Sequence, residues 1–388
     1  MPLLLRFQSK PLLHPNRQSS SAAKEKPFLS TSLAPSAPQV GLIIREREPV
    51  NLEYPFDQLE EFLTPNDLFY IRSHFKAPVL DRHAYKLAIG GAVREPFTIT
   101  YEELLAMPSV TRPATLECAG NGRIFLVPQV KGAQWQLGAV STAEWTGVPL
   151  TALLERAGLD PNACEVLFEA ADTGTPREEP IPPGDTSYAR SLAIGKAKDA
   201  IIAYRMNGEE ISVDHGFPLR AIVPGHYGMA SVKWLTHIRV LTEPFEGYWQ
   251  TSDYGYWDYD ENQNPMRRAL GQMAVKSAIA RPRTREFVPA GSPYRVFGAA
   301  WGSDTHIEKV EVSTDDGQTW QPVRFLDEAQ FGVWRRWEFD WSAPEEKGTY
   351  VLKSRATDAQ GNSQPEHHDK RFGTYVIHHT FGIEVVVR

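Results

Sequence analysis

A chain of 388 residues, 41% hydrophobic and 23% charged, is long enough for two or three ordinary domains and has the composition of a soluble globular protein. Its net charge of -7 argues against a nucleic-acid partner, and no apolar run approaches the length of a membrane span. The only two cysteines, Cys118 and Cys164, exclude a disulfide framework and a four-cysteine zinc site, leaving mixed Cys and His ligation open.

Residues 1–40 are rich in proline and serine with scattered basic residues, and read as a disordered or targeting extension. Leu3-Leu4-Leu5 is too short for a secretory core and follows no twin-arginine pair, so the compartment stays open between cytoplasm and periplasm. Folding is expected to begin near Gly41 to Asn51. Residues 59–62 read as a short helical turn, and 68–74 alternate before the break at Pro78. Residues 85–91 read as a strand ending in a glycine turn.

Thr100 followed by Glu103 and an apolar run predicts a capped helix over 100–107, stopped by Pro108. A strand over 115–118 then runs into Ala119-Gly-Asn-Gly122, a loop suited to unusual backbone angles. Residues 148–158 predict an amphipathic helix with a glycine stop, and 166–171 and 200–204 predict apolar strands. There is no regular βαβ period and no Gly-x-Gly-x-x-Gly fingerprint, which argues against a dinucleotide fold.

After Pro265 the helices disappear. Strands are expected over 275–279, 294–300, 307–313, 334–339, 350–356 and 375–379, with turns at Asp315-Asp-Gly317 and Asp358-Ala-Gln-Gly361. That pattern suggests a β-sandwich whose core takes Trp301, Trp320, Trp334, Trp337 and Trp341.

Cys118 stands at a strand-to-loop junction with Arg123 five positions on, where a thiolate is favoured as nucleophile or soft metal ligand. A buried, inert cysteine is the alternative there, and Cys164 reads as core. A cysteine hydrolase would need an orienting histidine, and His74, His215 and His226 are present elsewhere. A second cluster, Asp214-His-Gly-Phe-Pro-Leu-Arg220 followed by Pro224-Gly-His-Tyr-Gly-Met-Ala-Ser-Val-Lys-Trp234, offers donors and cations to a phosphate or another oxyanion. Lys131, Trp135 and Arg72, taken singly, read as surface charge or core.

Cys118-Ala-Gly-Asn-Gly-Arg123, Asp214-His-Gly-Phe-Pro-Leu-Arg220 and Ser231-Val-Lys-Trp-Leu235 together resemble the molybdenum-containing sulfite oxidase family, including its bacterial sulfite dehydrogenases. Tyr70-Ile-Arg-Ser-His74, Val130-Lys-Gly-Ala-Gln-Trp135 and Asp253-Tyr254 fit it as well, in order, from about Phe69 to the C-terminus. The resemblance implies an α+β molybdenum-cofactor domain over 41–265 and an immunoglobulin-like β-sandwich, commonly a dimerisation domain, over 266–388. It implies molybdenum and molybdopterin as cofactors, with Cys118 the single protein thiolate on the metal.

Tyr70, His74, His215, Arg220, Ser231 and Lys233 match positions that hold the pterin and its phosphate, and Asp172, Ser187 and Ser191 are further candidates around it. Arg72 and Arg123 correspond to arginines that hold the oxyanion, Lys131 and Trp135 to lining residues, and Tyr254 to a tyrosine beside the metal. The implied reaction oxidises sulfite to sulfate and passes electrons to a separate acceptor such as cytochrome c, with a homodimer expected. Neither nucleic acid nor membrane is an expected partner.

Three departures qualify this. Gly122 stands where animal and plant relatives generally have arginine, which leaves room for another oxyanion or sulfur-bearing substrate. The stretch before Phe69 shows no plausible fold for a haem domain of cytochrome b5 type. None of Arg267, Arg268, Arg281 and Arg285 is marked as the further substrate arginine expected near the domain junction. Nitrate or sulfoxide reduction, and a non-catalytic cofactor-binding homologue, are the alternatives.

Overall fold

The computed structural model describes residues 41–302 and 304–388; the extension expected over 1–40 lies outside them. These residues are built mainly from strands. Among the described residues the α-helices are Tyr101–Leu105, Leu150–Ala157 and Ile194–Ala197, so the helical share is smaller than an α+β reading implies.

Two five-stranded sheets carry the first part of the chain. In one, Val110–Glu117 pairs antiparallel with Val140–Pro149, which pairs with Ile201–Met206. In the other, Lys86–Gly91 runs parallel to Leu235–Leu241, which pairs antiparallel with Glu165–Gly174, and that strand pairs antiparallel with Thr186–Ala193. The expected strands at 85–91, 115–118, 166–171 and 200–204 all form, most of them longer than expected. Strands 140–149, 186–193 and 235–241 form without having been singled out. Their polar residues hide the signal: Ser141 and Thr142 are fully buried, and the Thr142 hydroxyl pairs with that of Thr115.

Both longer helices follow local sequence. The Thr100 hydroxyl accepts from the Glu103 amide, and the Glu103 carboxylate accepts from the Thr100 amide, a reciprocal cap that starts Tyr101–Leu105. Helix Leu150–Ala157 buries Leu150, Leu153, Leu154 and Ala157 along one face and stops at Gly158, whose φ of +66° suits glycine. The helical turn expected over 59–62 lies a little earlier, as the 3-10 turn Phe56–Gln58.

Beyond residue 270 two further sheets share a core that includes Val296, Val310, Trp337, Leu352 and Val385. The strand expected over 375–379 is not formed, and the final strand is Gly382–Val387, paired with Gly348–Asp358. Residues 374–377 instead cross the Cys118 loop, where the Val376 amide donates to the Ala119 carbonyl at 2.8 Å. That bond draws the segment out of any sheet.

Candidate active site

Val110–Glu117 begins exposed and ends fully buried, and so delivers Cys118 into the interior at 7% exposure. The Cys118 amide donates to the Ala139 carbonyl at 2.9 Å, and the Cys118 carbonyl accepts from the Asn121 amide at 2.8 Å. Gly122, with φ of +94°, turns the chain so that Arg123 re-enters the core.

Two clefts meet at the cysteine. The inner one, of about 620 Å³, is lined by Tyr70, Arg72, His74, Cys118, Asp172, His215, Arg220, Ser231, Lys233 and Tyr254. The outer one, of about 1420 Å³, opens past Arg123 and Lys131. Arg72, His74, Cys118 and Tyr254 line both.

The inner cleft is rich in cations. Lys233 Nζ donates to Ser73 Oγ at 2.8 Å and to the Asp214 carbonyl at 2.9 Å. Arg220 donates through Nε to the Ser231 carbonyl and through Nη1 to the His215 carbonyl, each at 3.1 Å. Burial and neighbouring Arg220 push the Lys233 ammonium below its ordinary value, although the Asp172 and Asp214 carboxyls oppose this. Burial lowers Arg220 to about 10, so it stays charged at neutral pH. Asp172 is raised by burial against the pull of Lys233, and its buried Oδ1 has no protein partner.

The histidines are neutral. Burial, then Arg220 and Lys233, pushes His215 down to about 3. Its Nε2 lies 3.2 Å from the Asn66 carbonyl, which can only accept, so that nitrogen carries the proton and Nδ1 is left as an acceptor. Burial, then Arg72 and Lys233, lowers His74 well below its ordinary value.

The outer cleft differs. Arg123 is buried, and its Nη1 and Nε donate to the Ala133 and Thr374 carbonyls at 2.7 and 3.1 Å. Lys131 is exposed. Arg177 adds a cation unmarked in the sequence, with Nη2 donating to the Glu48 carbonyl at 2.6 Å. Glu46, Glu178, Glu179 and Asp253 supply the carboxylates of the same cleft.

Three expected site residues are not brought to either cleft. Trp135 is fully buried beside them, Ser187 is exposed, and buried Ser191 turns its amide to Gln250 Oε1 at 3.2 Å. Their strand instead presents Tyr188, whose ring stacks on His74 at 4.6 Å and whose hydroxyl donates to the Met229 carbonyl at 2.8 Å. The period of two in Thr186–Ala193 already puts Tyr188 on the opposite face from Ser187 and Ser191. Asp214 and Met229 line the inner cleft as well, and Tyr375 and Asp253 the outer one.

Gly122 lines neither cleft. A Cβ there would meet Ile377 and Phe381 at 3.2 and 3.4 Å, and the backbone is left-handed, so the position suits glycine. Arg267, Arg268, Arg281 and Arg285 are also outside both. Among the described residues no helix is long and apolar enough to cross a membrane.

A thiol at the join of a cation-rich inner cleft and a mixed-charge outer cleft suits a molybdenum-cofactor oxidoreductase, the class that the matched families define. Residues 74–249 match the oxidoreductase molybdopterin binding domain, and residues 267–375 the Mo-co oxidoreductase dimerisation domain. The chain is 35% identical over 372 residues to sulfite oxidase of Gallus gallus, covering 87% of this chain and 78% of that one. It is 32% identical to an NADH nitrate reductase of Solanum lycopersicum, covering 82% of this chain and 38% of that one. The crystal structure of the sulfane dehydrogenase SoxCD from Paracoccus pantotrophus superposes with a TM-score of 0.75 at 27% identity, covering 93% of this chain and 95% of that one. The chain belongs to the sulfite oxidase family. It spans 61% of the length of the mouse mitochondrial sulfite oxidase.

The cofactor of the family is molybdenum held by molybdopterin, and the inner cleft suits it. The cations Arg72, Arg220 and Lys233 answer an anionic group, and the unpartnered Asp172 Oδ1 is free to accept from an N–H donor. Gly228 leaves room that a side chain would fill, since a Cβ there would come within 2.6 Å of the Tyr70 hydroxyl. A soft thiolate from Cys118 is the ligand type that suits such a metal.

Proposed function

We propose that the chain oxidises sulfite to sulfate, with water as the oxygen source and two electrons and two protons released. The observation that carries this reading is the position of Cys118. It lines both the inner cleft, whose wall carries Arg72, Arg220 and Lys233, and the outer cleft, where Arg72, Arg123 and Lys131 stand among carboxylates. The bound cofactor supplies oxygen-atom transfer and two-electron redox chemistry at its metal.

The protein's own groups bind and orient. Cys118 would ligate the metal, while Tyr70, His74, His215, Arg220, Ser231, Lys233 and Asp172 would hold the pterin and its phosphate. Arg72 faces both clefts and stays charged despite burial. It would anchor the oxyanion, with Lys131 drawing the anion in from the mouth. Tyr254, un-ionised because burial raises its phenol, would keep a hydrogen-bond donor beside the reacting oxygen.

The end of one matched segment at 249 and the start of the next at 267 support a division near 265. Two sheets around one core support an immunoglobulin-like second domain, and its match to a dimerisation domain supports a homodimer. Electrons would pass to a separate acceptor such as a cytochrome c.

Likeness to a nitrate reductase and to a sulfane dehydrogenase makes another oxyanion or a sulfur-bearing group the second reading. Molybdenum-loaded protein assayed with sulfite and an artificial acceptor, beside nitrate and methionine sulfoxide with an artificial donor, separates these. Sulfite-dependent turnover above the other two is expected. Full loading without sulfite turnover would reject the proposal.

A further inference from the structure

The loop that carries Cys118 is held from the C-terminal part of the chain as well as from Ala133 and Ala139. Lys276 opens strand Lys276–Arg281 and lies directly across from Trp301 in the neighbouring strand Pro293–Trp301. Both side chains leave their own sheet and reach the end of Val110–Glu117. Lys276 Nζ, 1% exposed, donates to Glu117 Oε1 at 2.9 Å and to the Asn121 carbonyl at 3.0 Å. Trp301 Nε1 donates to Glu117 Oε2 at 2.8 Å, and Asn121 Nδ2 donates to Glu117 Oε1 at 3.0 Å. Asn121 Oδ1 in turn accepts from the Ala139 amide at 3.1 Å. One ammonium therefore fixes the residue before the cysteine and the residue three after it.

A surface pair would do little of this, because water screens it and the side chains stay mobile. Here both charged groups are at most 2% exposed, and Lys276, Trp301 and Asn121 all donate to the carboxylate. Leaving either charge without its partner in that environment is costly, so the arrangement permits one geometry. Residues of the same C-terminal part close the rest of the loop, with Val376 N–H on the Ala119 carbonyl and the Thr374 carbonyl on Arg123.

We infer that Lys276 is a positioning residue for the Cys118 loop, which its ammonium locks through Glu117 and Asn121 so that the thiol is presented where the two clefts meet. The C-terminal sheets thus take part in building the metal site from within one chain. The inference rests on the reading of Cys118 as metal ligand, but its geometry does not require that reading.

The test uses the full-length loaded enzyme with Lys276→Met, Lys276→Arg and the charge-free pair Glu117→Gln/Lys276→Met. Lys276→Met strands a buried carboxylate, and where it fails to fold the charge-free pair still reports, since it leaves no unpaired charge. Amide hydrogen exchange of the peptide spanning residues 117–123 should quicken at least tenfold in Lys276→Met and in the charge-free pair. The visible absorption band of the bound metal should shift, and kcat should fall more than KM rises. Lys276→Arg, which keeps the charge and donors, should recover at least part of each effect. Exchange at 117–123 and the absorption band both unchanged, with only global melting lowered, would overturn the inference. Exchange that quickens while the band stays fixed would keep the loop assignment and count against Cys118 as ligand.

Discussion

His74 and Tyr254, 180 residues apart in the chain, meet with Nε2 2.7 Å from the phenol oxygen where the inner and outer clefts join. Burial and the neighbouring cations keep the imidazole neutral, while burial and Asp253 keep the phenol protonated against the pull of Arg72. A neutral pair of this kind holds both rings in place without adding charge. Arg72, which also lines both clefts, supplies a positive charge there.

Tyr254→Phe keeps the ring packing against Tyr375 and His74 but removes the hydroxyl. The loss of one buried hydrogen bond of about 1–1.5 kcal/mol corresponds to a fall in kcat of about tenfold if the donor acts in the transition state. Steady-state kinetics on loaded protein checks this. A variant with unchanged kcat would remove the phenol from the chemistry.

The three cations expected around the oxyanion should behave differently. Arg72→Met removes a half-buried charge that faces the join of the clefts, so KM for the anion should rise about 10- to 100-fold, as for loss of a charged hydrogen bond. Lys131→Ala removes an exposed charge, so the effect on KM should stay below about tenfold and shrink further with added salt. Arg123→Met strands the Ala133 and Thr374 carbonyls, so it should lower stability by about 1–3 kcal/mol besides any kinetic change. Salt-dependent kinetics and denaturant titration on the same three variants separate these roles.

Much of this site is legible in the sequence because its residues cluster in glycine- and proline-rich loops. Arg72 and His74, Cys118 and Arg123, His215 and Arg220, and Ser231 and Lys233 are close along the chain, and the fold needs only to bring four segments together. Tyr188 is hard to read because nothing but strand alternation marks it, and Ser187 and Ser191 beside it are the candidates named instead. The crossing segment at 374–377 is equally hard to read, since alternating apolar residues predict a strand. Only the contact of Val376 with Ala119, 257 positions earlier by residue number, shows otherwise. The Lys276–Glu117 pair is invisible for the same reason: its members are 159 positions apart and neither stands in a motif.

Cys118→Ser changes one buried atom in a loop whose backbone bonds do not involve the side chain, so folding should persist. A hydroxyl is a harder and much less acidic ligand than a thiol. Turnover should therefore fall by on the order of 100-fold or more, about 2.7 kcal/mol in barrier. Kinetics normalised to folded protein, with circular dichroism as the fold check, measures it. Activity within tenfold of the parent would place the metal's protein ligand elsewhere.

The buried histidines should also shape stability toward acid. His215 titrates near 6.5 when unfolded but is pushed down to about 3 in the fold, first by burial and then by Arg220 and Lys233. Between those values the unfolded chain binds a proton that the folded chain excludes. Its contribution is therefore fully present above about pH 6.5 and is lost as pH falls toward 3. The slope from one such proton approaches about 1.4 kcal/mol per pH unit. His74 is lowered in the same direction and adds to the trend. His215→Gln cannot take up that proton, so its stability should fall less steeply between pH 6 and pH 4.5, by up to about 1.4 kcal/mol per pH unit. Denaturant unfolding of both proteins across that range reads the difference directly. Parallel slopes would mean that His215 is protonated in the fold, and that Arg220 and Lys233 do not press on it.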